Sequence, residues 1–435
     1  MTLAAALFLG MLLMQELGRR LGQRRFERDP EGARVGTGVF VVEAEGEATV
    51  PQLTSLLFAA RELYASISAR AAKAGDDPVP GETIEALRRA GLFGAMTPRE
   101  LGGAELALVD AIDVFAEVAH ADGSAGWCLM AGASAVAYFG AYASDDFAAR
   151  LFAGGVPLLA GQFAPNGTGI AADGGYRVTG DYQFGSGLHY AEWVGVGFLV
   201  PPPAGSDAPM RYLFGLVPAE QIERRGNWNV MGLAATASWD YGVRGAFVPE
   251  GASFLFAAPT RRRGGRVYEL GVMAQTAAGH AGFALGVTRR ALDELEAIAQ
   301  TKVRMGAGSF LKDDPRFLHS LGTLESRFRS ARAWVREAFA RIEATVNATG
   351  RLDLRQNNEV RQATVHVTQE GADIVREAYL LAGTTALRDG PLQRCFRDIH
   401  AGSQHFFASP ASTLDFARDL LAAAPGAGTP AVQST

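Results

Sequence analysis

The sequence predicts an α+β fold in three parts: an N-terminal α-helical domain, a middle β domain and a C-terminal four-helix bundle. Three observations predict it. Apolar residues recur at helical spacing between Pro51 and Tyr142. From Leu158 to Pro249 short apolar runs alternate with turn residues, the pattern of a small barrel or sandwich. Beyond Arg266 long apolar-periodic segments return, with the lengths of up-down bundle helices. The boundaries follow: 1–48 a leader and linker of open status, 49–157 helical, 158–262 β, 263–424 bundle, and 425–435 a Pro/Gly/Ala-rich tail read as disordered.

A chain of 435 residues is too long for one simple core, in keeping with several subdomains. Hydrophobic residues make up 48% and charged residues 20%, the balance of a globular protein. A net charge of −5 leaves no basic footprint, which argues against nucleic acid as a partner. The two cysteines, Cys128 and Cys395, lie far apart in apolar surroundings. Reduced, buried thiols and a cytoplasmic setting are expected. The seven histidines show no zinc spacing, so no metal site is expected.

In chain order, Leu3–Met14 is apolar and is followed by Arg19, Arg20, Arg24 and Arg25. It is shorter than the roughly 20 apolar residues a spanning helix needs. A mis-called start, a disordered leader, or a short surface anchor with weak membrane contact fits it. Leu53, Leu56, Leu57, Ala60, Leu63, Tyr64 and Ile67 mark a first helix, Glu82–Phe93 a second and Asp110–His120 a third. His120–Tyr142 is nearly uncharged, as in a helix buried on most sides. Strands are expected at Leu158–Phe163, Tyr176–Phe184, Trp193–Val200, Arg211–Val217 and Asp240–Val248. Bundle helices follow at Val272–Ile298, Phe317–Val346 and Asn357–Ala382, and Pro391–Phe407 leads to a fourth, Ser412–Ala424.

Gly174–Trp193 carries the first chemical signal. Tyr176, Val178, Tyr182 and Phe184 alternate with Arg177, Thr179, Asp181 and Gln183, the period of a half-buried strand. It ends in Gly185-Ser186-Gly187. Two glycines allow close backbone approach to a flat ligand, and the serine between them offers one donor and two acceptor lone pairs. A hairpin with an ordinary Gly-Ser loop fits the spacing as well.

The run YRVTGDYQFGSG…EW resembles the middle domain of the acyl-CoA dehydrogenase superfamily, and more narrowly its branch of two-component, group D flavin-dependent monooxygenases. Tyr182 stands where that branch usually carries Trp. Glu117…Asp122-Gly123-Ser124-Ala125-Gly126-Trp127 is similar to a motif of the family's helical domain. Asn227–Phe247 resembles its G-x-x-G/A-T-x-S-x-D strand pair, through Gly232, Thr236, Ser238 and Asp240. The resemblance covers about Pro51 to Ala424 and implies an acyl-CoA dehydrogenase-like fold.

It also implies a chemistry. Dehydrogenases of the family use a glutamate after an R-D-x-R motif. Here Phe396-Arg397-Asp398-Ile399-His400 matches, yet the base position falls near Phe406 and no glutamate follows Glu377. Phenylalanine cannot take a proton. A minority place the base on the first bundle helix, which here is Val272, with Glu269 one turn away. The monooxygenase branch carries A-x-x-QH, and His400-Ala401-Gly402-Ser403-Gln404-His405 fits it.

The resemblance therefore implies a flavin-dependent oxidoreductase, the oxygenase component that takes reduced FMN or FAD from a separate flavin reductase and acts with dioxygen on a small organic substrate. His405 and Ser186 are the implied catalytic residues, with the Ser186 hydroxyl facing flavin N5. Gln162, Phe163, Ala164, Phe184, Gly185 and Ser186 would line the ring. Arg304 would meet the flavin phosphates, where a guanidinium suits phosphate. Gly383 would approach the cofactor from a neighbouring subunit of a homotetramer. A satisfied core histidine at 405 and a solvated arginine at 304 are the plainer alternatives; His189 and His280 are read as structural. Two other functions stay open: a dehydrogenase on an acyl thioester with an unusual base, and a degenerate member that binds flavin or a partner without turnover.

Overall fold

The structure, a computed structural model, describes residues 50–203, 205–305 and 308–423. The expected leader at 1–48, its apolar stretch at 3–14 and the tail at 425–435 lie outside the described residues. Among the described residues no helix is long and apolar enough to cross a membrane.

Five helices come first: α1 Val50–Ala74, α2 Gly81–Arg89, α3 Leu108–Ala121, α4 Gly123–Tyr142 and α5 Asp145–Leu151. The second stops sooner than its sequence suggests. Its cap is followed by Gly91 at φ +74°, and a short 3₁₀ turn carries Leu92–Gly94. Asp122 separates α3 from α4 by accepting a hydrogen bond from Ala125 N at 2.9 Å, an N-cap. Nearly all of α4 is buried, as its lack of charge requires.

Strands β1 Leu159–Ala172, β2 Gly175–Gly185, β3 Trp193–Val200, β4 Arg211–Pro218, β5 Ile222–Arg224, β6 Trp239–Pro249 and β7 Ser253–Leu255 follow. Spacing left barrel and sandwich open. The pairing is one mixed seven-stranded sheet in the order β5-β6-β2-β1-β3-β4-β7. β1 is much longer than its apolar start. Pro165, Asn166 and Gly167 are poor strand formers, but a turn through Asp173 and Gly174 folds β1 onto β2, with Gly167 opposite Gly180 and Ala172 opposite Gly175. β1 pairs parallel to β3, with a register break between Gln162 and Gly167.

The C-terminal helices are α6 Gly271–Thr301, α7 Pro315–Thr349, α8 Leu354–Ala382, α9 Pro391–Gly402 and α10 Ala411–Ala423. α6 runs through the centre of the molecule, packed on α3, α4, α8 and α9. It meets α3 closely because Gly282 and Gly286 carry no side chain; a Cβ at either would press on Phe115 or on the Ala116 carbonyl. The segment expected only to lead into the last helix holds a helix of its own, α9, which ends at Gly402. A tight turn then reverses the chain, His405 N donating to Gly402 O at 3.1 Å. Phe406–Ala408 forms a separate 3₁₀ turn.

Candidate functional site

β2 ends on an unusual residue. Phe184 holds φ at +60°, a region a bulky side chain rarely enters, and the residue is 56% exposed, its ring beside Trp228. The next two residues present the half-buried Ser186 hydroxyl. Gln162 ties the neighbouring strand to this rim: its Oε1 accepts from Gln183 N at 3.4 Å, and its own N–H donates to Tyr241 Oη at 2.8 Å. Gln162, Phe163 and Ala164 lie at the break in β1–β3 pairing, the kind of irregularity that re-aims backbone near a ligand. Tyr182, in the place of the usual Trp, is buried below them. It stacks on Tyr241 at 5.0 Å and donates to Gly197 O at 3.1 Å.

From the helical side comes Trp127, on the first turns of α4 and 7% exposed. Its Nε1–H donates to Ser186 Oγ at 3.0 Å. The same indole packs edge-on against three rings: His280 at 5.0 Å, Phe283 at 4.9 Å and His405 at 5.6 Å. His405 and Ser186 come from elements more than 200 residues apart, and this one side chain connects them. His280, from the middle of α6, lies 4.2 Å from His405, and Phe407 stacks on His280 at 5.2 Å.

The electrostatics favour neutral imidazoles. Burial pushes the His405 pKa down to about 4 although its ring keeps some exposure. His280 is pushed well below its ordinary value by burial first and by the neighbouring His405 second. His405 Nδ1 accepts from Phe407 N–H at 3.3 Å, so the neutral ring carries its proton on Nε2.

Behind Ser186 runs a file of hydroxyls. Ser186 Oγ lies 2.7 Å from Ser238 Oγ, Ser238 Oγ lies 2.6 Å from Thr236 Oγ1, and Thr236 Oγ1 donates to Leu233 O at 2.7 Å. Leu233 N in turn donates to Asp398 Oδ1 at 2.7 Å. Asp398 is buried, and burial together with nearby Asp122 raises its pKa to about 7.

Arg304 and Gly383 are elsewhere. Arg304 Nη2 donates to Leu381 O at 3.3 Å and Nη1 faces Asp314 at 3.5 Å, while Lys302 Nζ donates to Thr385 Oγ1 at 2.7 Å across the same corner. Gly383 holds φ at +57° there. Among the described residues no hydrogen bond or ring contact joins this basic corner to Ser186 or His405. Glu269, the possible alternative base, is paired with Arg261 at 2.7 Å. His189 is exposed and touches Trp239 and Tyr190. Both cysteines are free and buried, and burial lifts the Cys128 thiol to about 12, so it is inert near neutrality. No cluster suited to a metal ion occurs among the described residues.

Sequence reasoning named Ser186 and His405 but missed the groups between and behind them. Trp127, Thr236 and Ser238 figured only as parts of family motifs, and His280 only as core. The available signal was two hydroxyl residues, Thr236 and Ser238, close together in one family motif; their contact depends on the 3₁₀ turn Ala234–Thr236 and the left-handed Ala237 between them, which spacing does not reveal.

The matched models are the acyl-CoA dehydrogenase N-terminal domain over residues 55–154 and the acyl-CoA dehydrogenase C-terminal domain over residues 278–410. The chain is 29% identical over 343 residues to an indole-3-acetate monooxygenase of Pseudomonas putida, covering 75% of this chain and 83% of the relative. It is 28% identical over 353 residues to the flavin-dependent monooxygenase oxygenase subunit HsaA of Rhodococcus jostii, covering 76% and 88%. The structure of XiaF from a Streptomyces species, in complex with FADH2 and glycerol, superposes with a TM-score of 0.79 at 20% identity, covering 88% of this chain and 98% of that one. With its helix–sheet–helix order and these matches, the chain belongs to the acyl-CoA dehydrogenase superfamily, in the branch that provides the oxygenase components of two-component flavin-dependent monooxygenases.

Proposed function

We propose that this protein is the oxygenase component of a two-component monooxygenase, using reduced FMN or FAD from a separate reductase to place one oxygen atom of O2 on a small organic substrate. The second oxygen atom leaves as water, and the two electrons come from the reduced flavin. The observation that carries the reading is the indole of Trp127, which holds the Ser186 hydroxyl at one edge and packs against His405 at the other.

The residues suit a flat ring. The rim of Gln162, Phe163 and Ala164 with Phe184, Gly185 and Ser186 combines an exposed aromatic face, a strand edge out of register and a hydroxyl, the mix of apolar wall and few polar groups typical of cofactor sites. When bound there, the flavin supplies the electrons and activates oxygen. Ser186 fixes the ring's polar edge. His405, neutral above about pH 4, holds a proton at Nε2 and offers it as a hydrogen-bond donor. Trp127, Phe283 and Phe407 keep water from the imidazoles, where donors act more strongly than in bulk solvent.

Arg304 and Gly383 fit the same scheme in a homotetramer, each serving a neighbour's cofactor rather than that of its own chain. Exposed Leu380 and Leu387, which flank Gly383 in sequence, favour such packing. A cytoplasmic setting goes with the two free cysteines. A thioester dehydrogenase is disfavoured, because Glu269 is tied to Arg261 and Phe406 offers no base.

The test supplies the protein with an unrelated flavin reductase, NADH and labelled dioxygen, and a panel of small aromatic and heteroaromatic compounds. Incorporation of one labelled oxygen into a product supports the reading. Anaerobic bleaching of bound oxidised flavin by an acyl thioester, with no oxygen incorporated, refutes it.

A further inference from the structure

We propose that Thr236 and Ser238 are positioning residues that fix the direction of the Ser186 hydroxyl, so that Ser186 can only accept a hydrogen bond from the bound ligand and the site thereby prefers reduced over oxidised flavin. This rests on the reading of the site given above.

The direction follows from counting protons. A carbonyl oxygen cannot donate, so the single proton of Thr236 Oγ1 is spent on Leu233 O. Thr236 must then accept from Ser238, whose proton is the only one available across their 2.6 Å contact. Ser238 in turn must accept from Ser186 across 2.7 Å. At the other end the indole N–H of Trp127 has no acceptor role, so it donates to Ser186 Oγ. Every proton in the file therefore points from Trp127 toward Leu233. Ser186 has given its proton inward and has accepted one from Trp127. One lone pair is left, on a hydroxyl that is half-buried rather than enclosed.

The file is built to stay in that direction. Thr236 is 1% and Ser238 2% exposed, so water does not compete for their protons. Leu233 O also accepts from Trp228 Nε1 at 3.0 Å and from Thr236 N at 3.2 Å, which holds the carbonyl in place. Leu233 itself sits at φ +55° and is anchored through its N–H on Asp398.

Where the Ser186 hydroxyl would face flavin N5, as the family resemblance implies, the chemical consequence would lie at that atom. In reduced flavin N5 bears a proton and donates; in oxidised flavin N5 bears only a lone pair and accepts. A hydroxyl with its proton committed inward matches the first and opposes the second. The ligand class favoured is thus a reduced, N5-protonated isoalloxazine, which suits a protein that receives its flavin already reduced.

The experiment measures the ratio of Kd for oxidised flavin to Kd for reduced flavin, by anaerobic titration with FMN and with FAD. Wild type is expected to favour the reduced form. In Thr236→Val the methyl volume stays but the acceptor for Ser238 is gone. Ser238 must then donate to Ser186, the file reverses and the Ser186 proton turns outward. The ratio should fall about fivefold to tenfold, the effect of one hydrogen bond gained and one lost. Ser238→Ala should act in the same direction, and Thr236→Ser, which keeps the hydroxyl, should retain the wild-type ratio. Where one variant does not fold, the other reads the same quantity. A ratio unchanged in both folded deletion variants overturns the proposal while leaving flavin use intact. Wild-type protein that binds neither form of either flavin overturns the flavin reading itself, and this proposal with it.

Discussion

The rings of His280 and His405 lie 4.2 Å apart at a tilt of 31°, one from the middle of the central bundle helix and the other from the turn after α9. Two imidazoles this close cannot both carry charge, and burial makes even one charge costly. The pair is therefore neutral across the ordinary working range.

That neutrality has a pH signature. With the His405 pKa near 4, the oxygen-dependent step should be flat from about pH 5 to pH 8 and should fall only as pH drops toward 4. A pH profile of product formed per flavin oxidised checks this. A step that titrates near 6.5 would place the working imidazole in water instead.

Trp127 does two jobs that one substitution separates. Trp127→Phe keeps an aromatic ring against His280 and His405 but removes the donor to Ser186. Stability should fall by only about 1 kcal/mol. Flavin affinity should weaken severalfold. Trp127→Ala should instead cost about 3–5 kcal/mol of stability through the cavity it leaves. Thermal unfolding beside flavin titration distinguishes the two losses.

Gly197 sits where β3 passes beneath the rim. A Cβ there would overlap the carbonyl oxygens of Phe163 and Ala164. Gly197→Ala should push that segment of β1 outward, lowering stability by about 1–3 kcal/mol and weakening flavin binding more than any change at the exposed His189. Equal affinities in Gly197→Ala and His189→Ala would remove Phe163 and Ala164 from the site.

Glu343 provides a stability test away from the chemistry. This buried carboxyl on α7 accepts from the first backbone N–H groups of α3, Leu108 N and Val109 N, yet burial raises its pKa from 4.5 to about 7. A raised carboxyl pKa means the folded protein keeps a proton that the unfolded chain has released. The stability it lends is full below about pH 4.5 and is lost as pH climbs through about 7, a change of about 3 kcal/mol. Denaturant titrations across that range should show the wild type losing stability relative to Glu343→Gln as pH rises. A constant difference between the two would contradict it.

Much of the fold was legible because periodicity reports burial directly. Trp193–Val200 and the long bundle helices announced themselves through runs that only a core can absorb. The second half of β1 did not, because Pro165-Asn166-Gly167 contradicts strand propensity and only pairing with β2 recruits it. At the site, Ser186 between two glycines and His405 in its motif could be singled out. His280 could not: an imidazole in an apolar helix reads the same whether it fills space or faces another imidazole. Nor could the direction of the hydroxyl file be read, since it depends on the carbonyl of Leu233, a main-chain atom with no trace in sequence.

The most direct measurement is rapid mixing of the reduced-flavin complex with oxygen, followed by absorbance, in wild type and in His405→Ala. The wild type is expected to pass through a transient species before oxidised flavin appears. In His405→Ala that species should decay faster, and product per flavin should drop by about a hundredfold. Wild-type flavin that oxidises in one step, at the rate of free reduced flavin and indifferent to His405, would contradict the assignment of Ser186, Trp127 and His405 as one oxygen-handling site.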